Sequence, residues 1–401
     1  MSLHVRPVSR EEIESFVLAV GKAFHDRPRD EDVALWGAKT EPERSLAVFD
    51  GDRIVATAGI ETRELTVPGG PVPAAGVTSV GVHADHRRRG LLTELMRRQL
   101  HGLRESGGEA VAILWASEAT IYGRFGYGAA SVSAELRVRT PQTRLREPPE
   151  ERPRLLELDE ARAAVVGIHE RARRERLGLL SRRDVIWDGR LADMEHRRNG
   201  AGPLRAAVLD DRGYALYAVA HRWADGQPNH QVRVRELVAA DPEAHAALWR
   251  FLLELDLTRE VVWDLAPVDD PLPHMLENAR AVTVHGFDGL YARVVDVPRA
   301  LIQRAYAAPF ETLLQVEDAF CRWNSGTWRL TWDGERADCE PATGPADLAL
   351  GAAELGAVYL GGTTLAALAG AGRVRELRPG AVARASVAFR GVNEPWTPEI
   401  F

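Results

Sequence analysis

The chain has 401 residues, 45% hydrophobic and 27% charged, with 51 Lys and Arg against 58 Asp and Glu and only 2 cysteines. This apolar fraction excludes global disorder, and the length predicts two or three packed domains. A formal net charge of -7 argues against binding to nucleic acid, which requires a basic face. Cys321 and Cys339 make neither a disulfide framework nor a four-ligand zinc site, so a reducing compartment and no metal are expected.

The start, Met1 to Arg6 followed by Arg10-Glu11-Glu12, holds no apolar h-region; no cleaved signal is expected, and the cytoplasm is the expected location. Residues 3–8 predict a short strand, and Ser9 with Glu12 a capping box that opens a helix. Residues 45–49, the turn Asp50-Gly51-Asp52 and residues 53–60 predict a hairpin, and residues 77–82 a further strand. Leu92, Leu95, Met96, Leu100 and Leu103 recur at helical spacing, and the apolar run 110–115 predicts a strand covered on both faces. The proline-rich, charged stretch 140–153 predicts a domain boundary.

Beyond that boundary Asp210-Asp211-Arg212-Gly213 separates two apolar runs, and residues 235–240 predict a strand. Asp241-Pro242-Glu243 then supplies an N-cap, an N1 proline and an acidic first turn. Ala244, Leu248, Leu252 and Leu255 continue as a helix, followed by a buried strand at 261–266. The order hairpin, strand, helix, strand thus occurs twice, a weak duplication of pattern. After Asp296-Val297-Pro298 the reading changes to a smaller α+β unit, with a helix at 298–306, a strand at 327–332 and the turn Asp333-Gly334. The Gly/Ala-rich stretch 348–368 reads as a buried helix pair and not a membrane span. Residues 393–401 hold two prolines and two large aromatics, which predicts an extended, anchored terminus. The whole is expected to be α/β.

The informative stretch is Val80-Gly81-Val82-His83-Ala84-Asp85-His86-Arg87-Arg88-Arg89-Gly90-Leu91-Leu92, where a strand ends, an arginine-glycine turn follows and a helix begins at once. Free N–H groups and the dipole at a helix start favour an anion, and a diphosphate is the natural guest. The spacing is neither a P-loop nor a dinucleotide fingerprint. It resembles the acyl-CoA pyrophosphate loop of the Gcn5-related N-acetyltransferases, departing from the general pattern at Leu92.

With Ile121-Tyr122-Gly123-Arg124-Phe125-Gly126-Tyr127-Gly128, the same stretch closely resembles the Eis (enhanced intracellular survival) family of aminoglycoside N-acetyltransferases. The resemblance implies tandem acetyltransferase folds, the second degenerate, and a sterol-carrier-like third domain, divided as residues 1–145, 146–295 and 296–401. It implies acetyl-CoA as co-substrate, held by Val80, Gly81 and Val82, by Arg87, Arg88, Arg89, Gly90, Leu91, Leu92 and Thr93, and by Ser117 and Glu118. Tyr122 falls on the family's general acid and the α-carboxylate of Phe401 on its general base, while Tyr127 is given a structural role. Phe24, Asp26, Trp36 and Glu399 fall on the side of a cationic amine acceptor. A homohexamer is implied as well.

The second copy's Asp241-Pro242 repels phosphate and removes a donor, so one cofactor site per chain is expected. Protein lysines or polyamines are alternative acceptors. A lipid or acyl-carrier binding protein is the alternative of another class.

Overall fold

The computed structural model describes residues 3–401; Met1 and Ser2, with which the charged start opens, lie outside the described residues. The capping box forms as the sequence predicts, the Glu12 carboxylate accepting from the Ser9 N–H at 2.9 Å. A 3-10 turn Arg10–Glu12 precedes the helix Ile13–Ala23. The hairpin also forms but is longer, Arg53–Val67 pairing with Gly70–Val82 as well as with Leu46–Asp50.

Two seven-stranded sheets follow from the duplicated pattern, and they exchange strands. The first runs His4–Pro7, Leu46–Asp50, Arg53–Val67, Gly70–Val82, Val111–Trp115, Leu290–Val294, Gly128–Ala129. The second runs Val282–Asp288, Val132–Arg139, Thr258–Pro267, His230–Ala239, Gly213–Ala220, Arg205–Leu209, Arg154–Leu156. Val132–Arg139 belongs to the second sheet, and Leu290–Val294 crosses back to pair with Val111–Trp115 of the first.

The third unit is a five-stranded sheet built on Phe310–Glu317, with helices Val297–Ile302, Ala352–Val358, Leu365–Gly370 and Ala381–Phe389. Here the sequence reading needs correction. Leu348–Gly351, expected to be helical, is a strand parallel to Phe310–Glu317 and antiparallel to Val374–Glu376. A short apolar run carries no period that separates a buried helix from a buried strand, and pairing on both edges decides it. The helix read at 298–306 ends at Ile302, and Tyr306 instead packs edge-on to Phe389. No helix among the described residues is long and apolar enough to cross a membrane.

One irregularity of the first sheet positions the site. Gly70–Val82 and Val111–Trp115 pair in parallel only from Ala74 opposite Val111 to Gly76 opposite Ile113. Both strands run on beyond that point, but apart. Ser79, at φ 54, and a register shift at Thr57/Gly59 form a bulge that bends Gly70–Val82 away. The sheet is held from behind by the amphipathic helix Leu91–Ser106, which buries Leu91, Leu95, Met96, Leu100 and Leu103 against it.

Candidate active site

The parted strands open into a cleft of about 650 Å³. Val80, Gly81 and Val82 form one wall; Arg87, Arg88, Gly90, Leu91, Leu92 and Thr93 form one end; Ser117, Glu118 and Tyr122 face them. Phe24, half exposed at the end of the first helix, closes the rim with His25. Gly81 is required by this approach, because a β-carbon there would lie 2.6 Å from that of Ala23. Residues distant in sequence are thus gathered as their types suggested, with Arg89 as an exception: it is exposed and lines no part of the cleft.

The turn is shaped for an anion. Arg88 and Gly90 are left-handed, at φ 62 and 78, and Gly90 is the N-cap of Leu91–Ser106. The N–H groups of Leu91, Leu92 and Thr93 find no acceptor among the described residues, and Glu94 is the first to bond back, to the Gly90 carbonyl at 3.1 Å. Free N–H groups at a helix start, with arginines beside them, suit the diphosphate of an acyl-CoA.

Tyr122 ends the short helix Ala119–Tyr122 and is 8% exposed. Burial, with some help from Glu118, pushes its phenol up to about 12, so it stays protonated through the neutral range. Tyr127 stacks edge-on to it at 5.9 Å and is fully enclosed, its hydroxyl without a hydrogen-bond partner among the described residues. The intervening Gly126, left-handed at φ 84, lies against Arg293, and a β-carbon there would meet that guanidinium at 2.7 Å. Arg293 comes from the exchanged strand Leu290–Val294 and is paired with Asp318 at 2.6 Å. All three units therefore brace the loop that follows Tyr122.

The terminus is anchored as expected. The Trp396 indole donates to the Leu265 carbonyl at 2.7 Å, and the Thr397 hydroxyl donates to the Gly178 carbonyl at 2.7 Å. Arg190 donates to the Pro398 carbonyl at 3.0 Å. The Phe401 ring reaches the first sheet, 5.5 Å from the Arg63 guanidinium and in contact range of Gly76, where the two strands part.

Other candidates lie apart from the cleft. Asp26 is exposed and accepts only from the Arg27 N–H among the described residues. Trp36 is half-buried in the helix Asp30–Lys39 under the Arg197 guanidinium at 5.0 Å. Glu399 is no free acid: it is 7% exposed and meets Arg182 at 3.1 Å and Arg63 at 3.9 Å. Burial pushes its carboxyl up, but Arg182, Arg63 and Arg190 outweigh that and hold it at about 2. Arg63 also pairs with Glu61 at 2.6 Å, and Arg182 with Glu236 at 2.7 Å. Sequence reading missed this network; its one local trace is Glu61 and Arg63 at strand spacing, on one face.

Acetyltransferase (GNAT) domains match residues 4–130 and 178–294, and a sterol carrier protein domain matches residues 297–398. An N-acetyltransferase of Streptomyces avermitilis is 44% identical over 380 residues, 92% of each chain. The N-acetyltransferase Eis of Mycobacterium tuberculosis is 36% identical over 392 residues, 93% of each. The chain belongs to the Eis-like N-acetyltransferases. The crystal structure of Eis1 from Mycobacterium abscessus matches with a TM-score of 0.88 at 32% identity, covering 99% of this chain and 100% of that one. Tandem GNAT folds with a sterol-carrier-like third domain are thus the architecture of this Eis-like protein, and N-acetyl transfer is its class of reaction.

Proposed function

We propose that this Eis-like protein acetylates amines of polycationic acceptors, aminoglycosides among them, using acetyl-CoA, with Tyr122 as general acid and the Phe401 α-carboxylate as general base. The observation that carries the reading is the cleft between the parted strands, with a donor-rich helix start at one end and a buried, protonated tyrosine on the facing wall. Acetyl-CoA supplies the activated acetyl thioester. The backbone of Val80, Gly81 and Val82 and the N–H groups of Leu91, Leu92 and Thr93 would hold it. The Tyr122 hydroxyl keeps its proton until a sulfur anion develops beside it, and the burial that makes the phenol a weaker acid also makes that anion more basic. A terminal carboxylate, with a reference pKa of about 3.3–3.7, is a weak base. Its role is to orient the acceptor amine and take its proton, directly or through water.

The test is release of the CoA thiol across a panel of aminoglycosides, polyamines and lysine peptides. Tyr122→Phe should lower kcat by roughly 10²–10⁴-fold with acetyl-CoA affinity unchanged. A peptide extension after Phe401 should likewise remove turnover but not acetyl-CoA binding. A fully active extended protein overturns the role of the terminus, and an active Tyr122→Phe that of the phenol.

A further inference from the structure

The second sheet parts much as the first does. His230–Ala239 and Thr258–Pro267 pair in parallel from His230 opposite Thr258 to Val234 opposite Trp263, and beyond that point they pair with each other no further. A cavity of about 250 Å³ lies at the fork. Arg233, Arg235 and Asp264 line it from the strands, and Arg190, Arg197 and Arg198 from the facing segment. It shares no lining residue with the acetyl-CoA cleft.

Its charge is unbalanced. Asp193 and Asp264 are the carboxylates in the lining, against five guanidiniums. Arg198 is paired with Asp193 at 2.7 Å; Arg190 shares Glu236, at 2.6 Å, with Arg182; and Arg197 pairs with Asp32. Arg233 and Arg235 meet no carboxylate among the described residues. Arg235 donates to the carbonyls of Arg190 and Ala192 at 3.0 and 3.2 Å, Arg233 to Gln231 Oε1 at 3.1 Å and the Asn199 carbonyl at 3.0 Å. Burial, with Arg190 close by, lowers Arg235 to about 10, although Asp193 and Glu236 pull the other way. Guanidiniums held by neutral carbonyls keep their charge and their remaining donors for another partner, and their planar forks match phosphate oxygens.

We propose that this cavity is a second ligand site, one that takes a phosphate group. With a water occupying about 30 Å³ of liquid, the volume admits the ion together with the small group that carries it. Free phosphate and a phosphomonoester share this chemistry.

Calorimetric titration of the full chain with inorganic phosphate, and separately with glycerol 3-phosphate, tests the proposal. Each is run with and without saturating CoA, at constant ionic strength set with chloride. Saturable binding is expected in both conditions, because CoA fills only the first cleft. Arg233→Gln and Arg235→Gln should each weaken it at least tenfold, whereas Arg88→Gln, in the first cleft, should not. Arg233 is partly exposed and its hydrogen bonds among the described residues are to neutral acceptors, so that variant tests the site without threatening the fold; a thermal midpoint near the wild-type value checks this. At least tenfold tighter binding of the ester points to a phosphorylated metabolite, and equal affinities to free phosphate. Absence of saturable binding up to on the order of 10 mM, indifference to both substitutions, or displacement by CoA would overturn it.

Discussion

Two forks, one in each acetyltransferase sheet, have the same topology and opposite equipment. In the first, a left-handed Gly90 caps the following helix and leaves its first N–H groups without an acceptor among the described residues. In the second, Asp241 caps Pro242–Leu253, its carboxylate accepting the Ala244 N–H at 2.8 Å and the Arg212 guanidinium at 2.7 and 2.9 Å. Pro242 has no N–H to offer. A diphosphate arriving at this helix start would meet the Asp241 carboxylate instead of donors. In the proposed reading, the helix start beside the fork, and not the fork alone, makes the acyl-CoA site. The C-terminal tail joins the two forks, since Trp396 packs on Trp263 at the second and Phe401 ends at the first.

The largest expected effect comes from cutting that join. Trp396 is 4% exposed and sits on Trp263 at 5.6 Å, with its backbone against Gly178, where a β-carbon would lie 2.6 Å away. Trp396→Ala should cost roughly 3–5 kcal/mol in denaturant unfolding. It should also lower kcat while sparing acetyl-CoA affinity, because the anchor of Phe401 is lost and the diphosphate turn is untouched. An unchanged kcat in the folded variant would separate the terminus from the chemistry.

A smaller effect probes the charges beneath the tail. With its carboxyl held at about 2, below the roughly 4.3 of an unfolded glutamate, Glu399 contributes stability that is present above about pH 4.3 and lost as pH falls through about 2. Glu399→Gln should destabilise the protein by on the order of 2–3 kcal/mol at neutral pH and by less as pH falls toward 2. Urea midpoints at pH 7, 4 and 3 measure this. A constant difference across those values would mean that Glu399 is not the titrating group.

How much was legible follows from how far each feature reaches along the chain. Residues 80–82, 87, 88, 90–93, 117–118 and 122, which line the first cleft, could be grouped from the sequence because a strand end, a turn and a helix start are local objects. Arg89 shares the run but not the wall, since its neighbours Arg88 and Gly90 are left-handed and turn the backbone between them. Arg182 meets Glu399 across 217 positions, and the exchanged strands Val132–Arg139 and Leu290–Val294 find partners that no local pattern names. Charged residues at those positions read as ordinary surface until the fold closes over them. The tail lay between these cases: its prolines and aromatics marked it as fixed, but not what fixes it.

The finest test of the comparison exchanges the logic of the two helix starts. Gly90→Ala places a β-carbon on a left-handed residue where no heavy atom of the described residues lies within 4 Å, so the cost is the backbone's own, about 1–2 kcal/mol. Much of that strain can be relieved by rotating the turn, which moves the free N–H groups of Leu91, Leu92 and Thr93 out of register. The expected readout is a several-fold rise in acetyl-CoA Kd together with a small fall in Tm. Asp241→Ala removes the cap of the equivalent helix and should cost about 1 kcal/mol. The proposed cofactor site lies in the first cleft, so acetyl-CoA Kd should not move. Titration of both variants side by side decides the matter: equal losses of affinity would mean that the second fork takes part in cofactor binding and that the two helix starts do not divide the work.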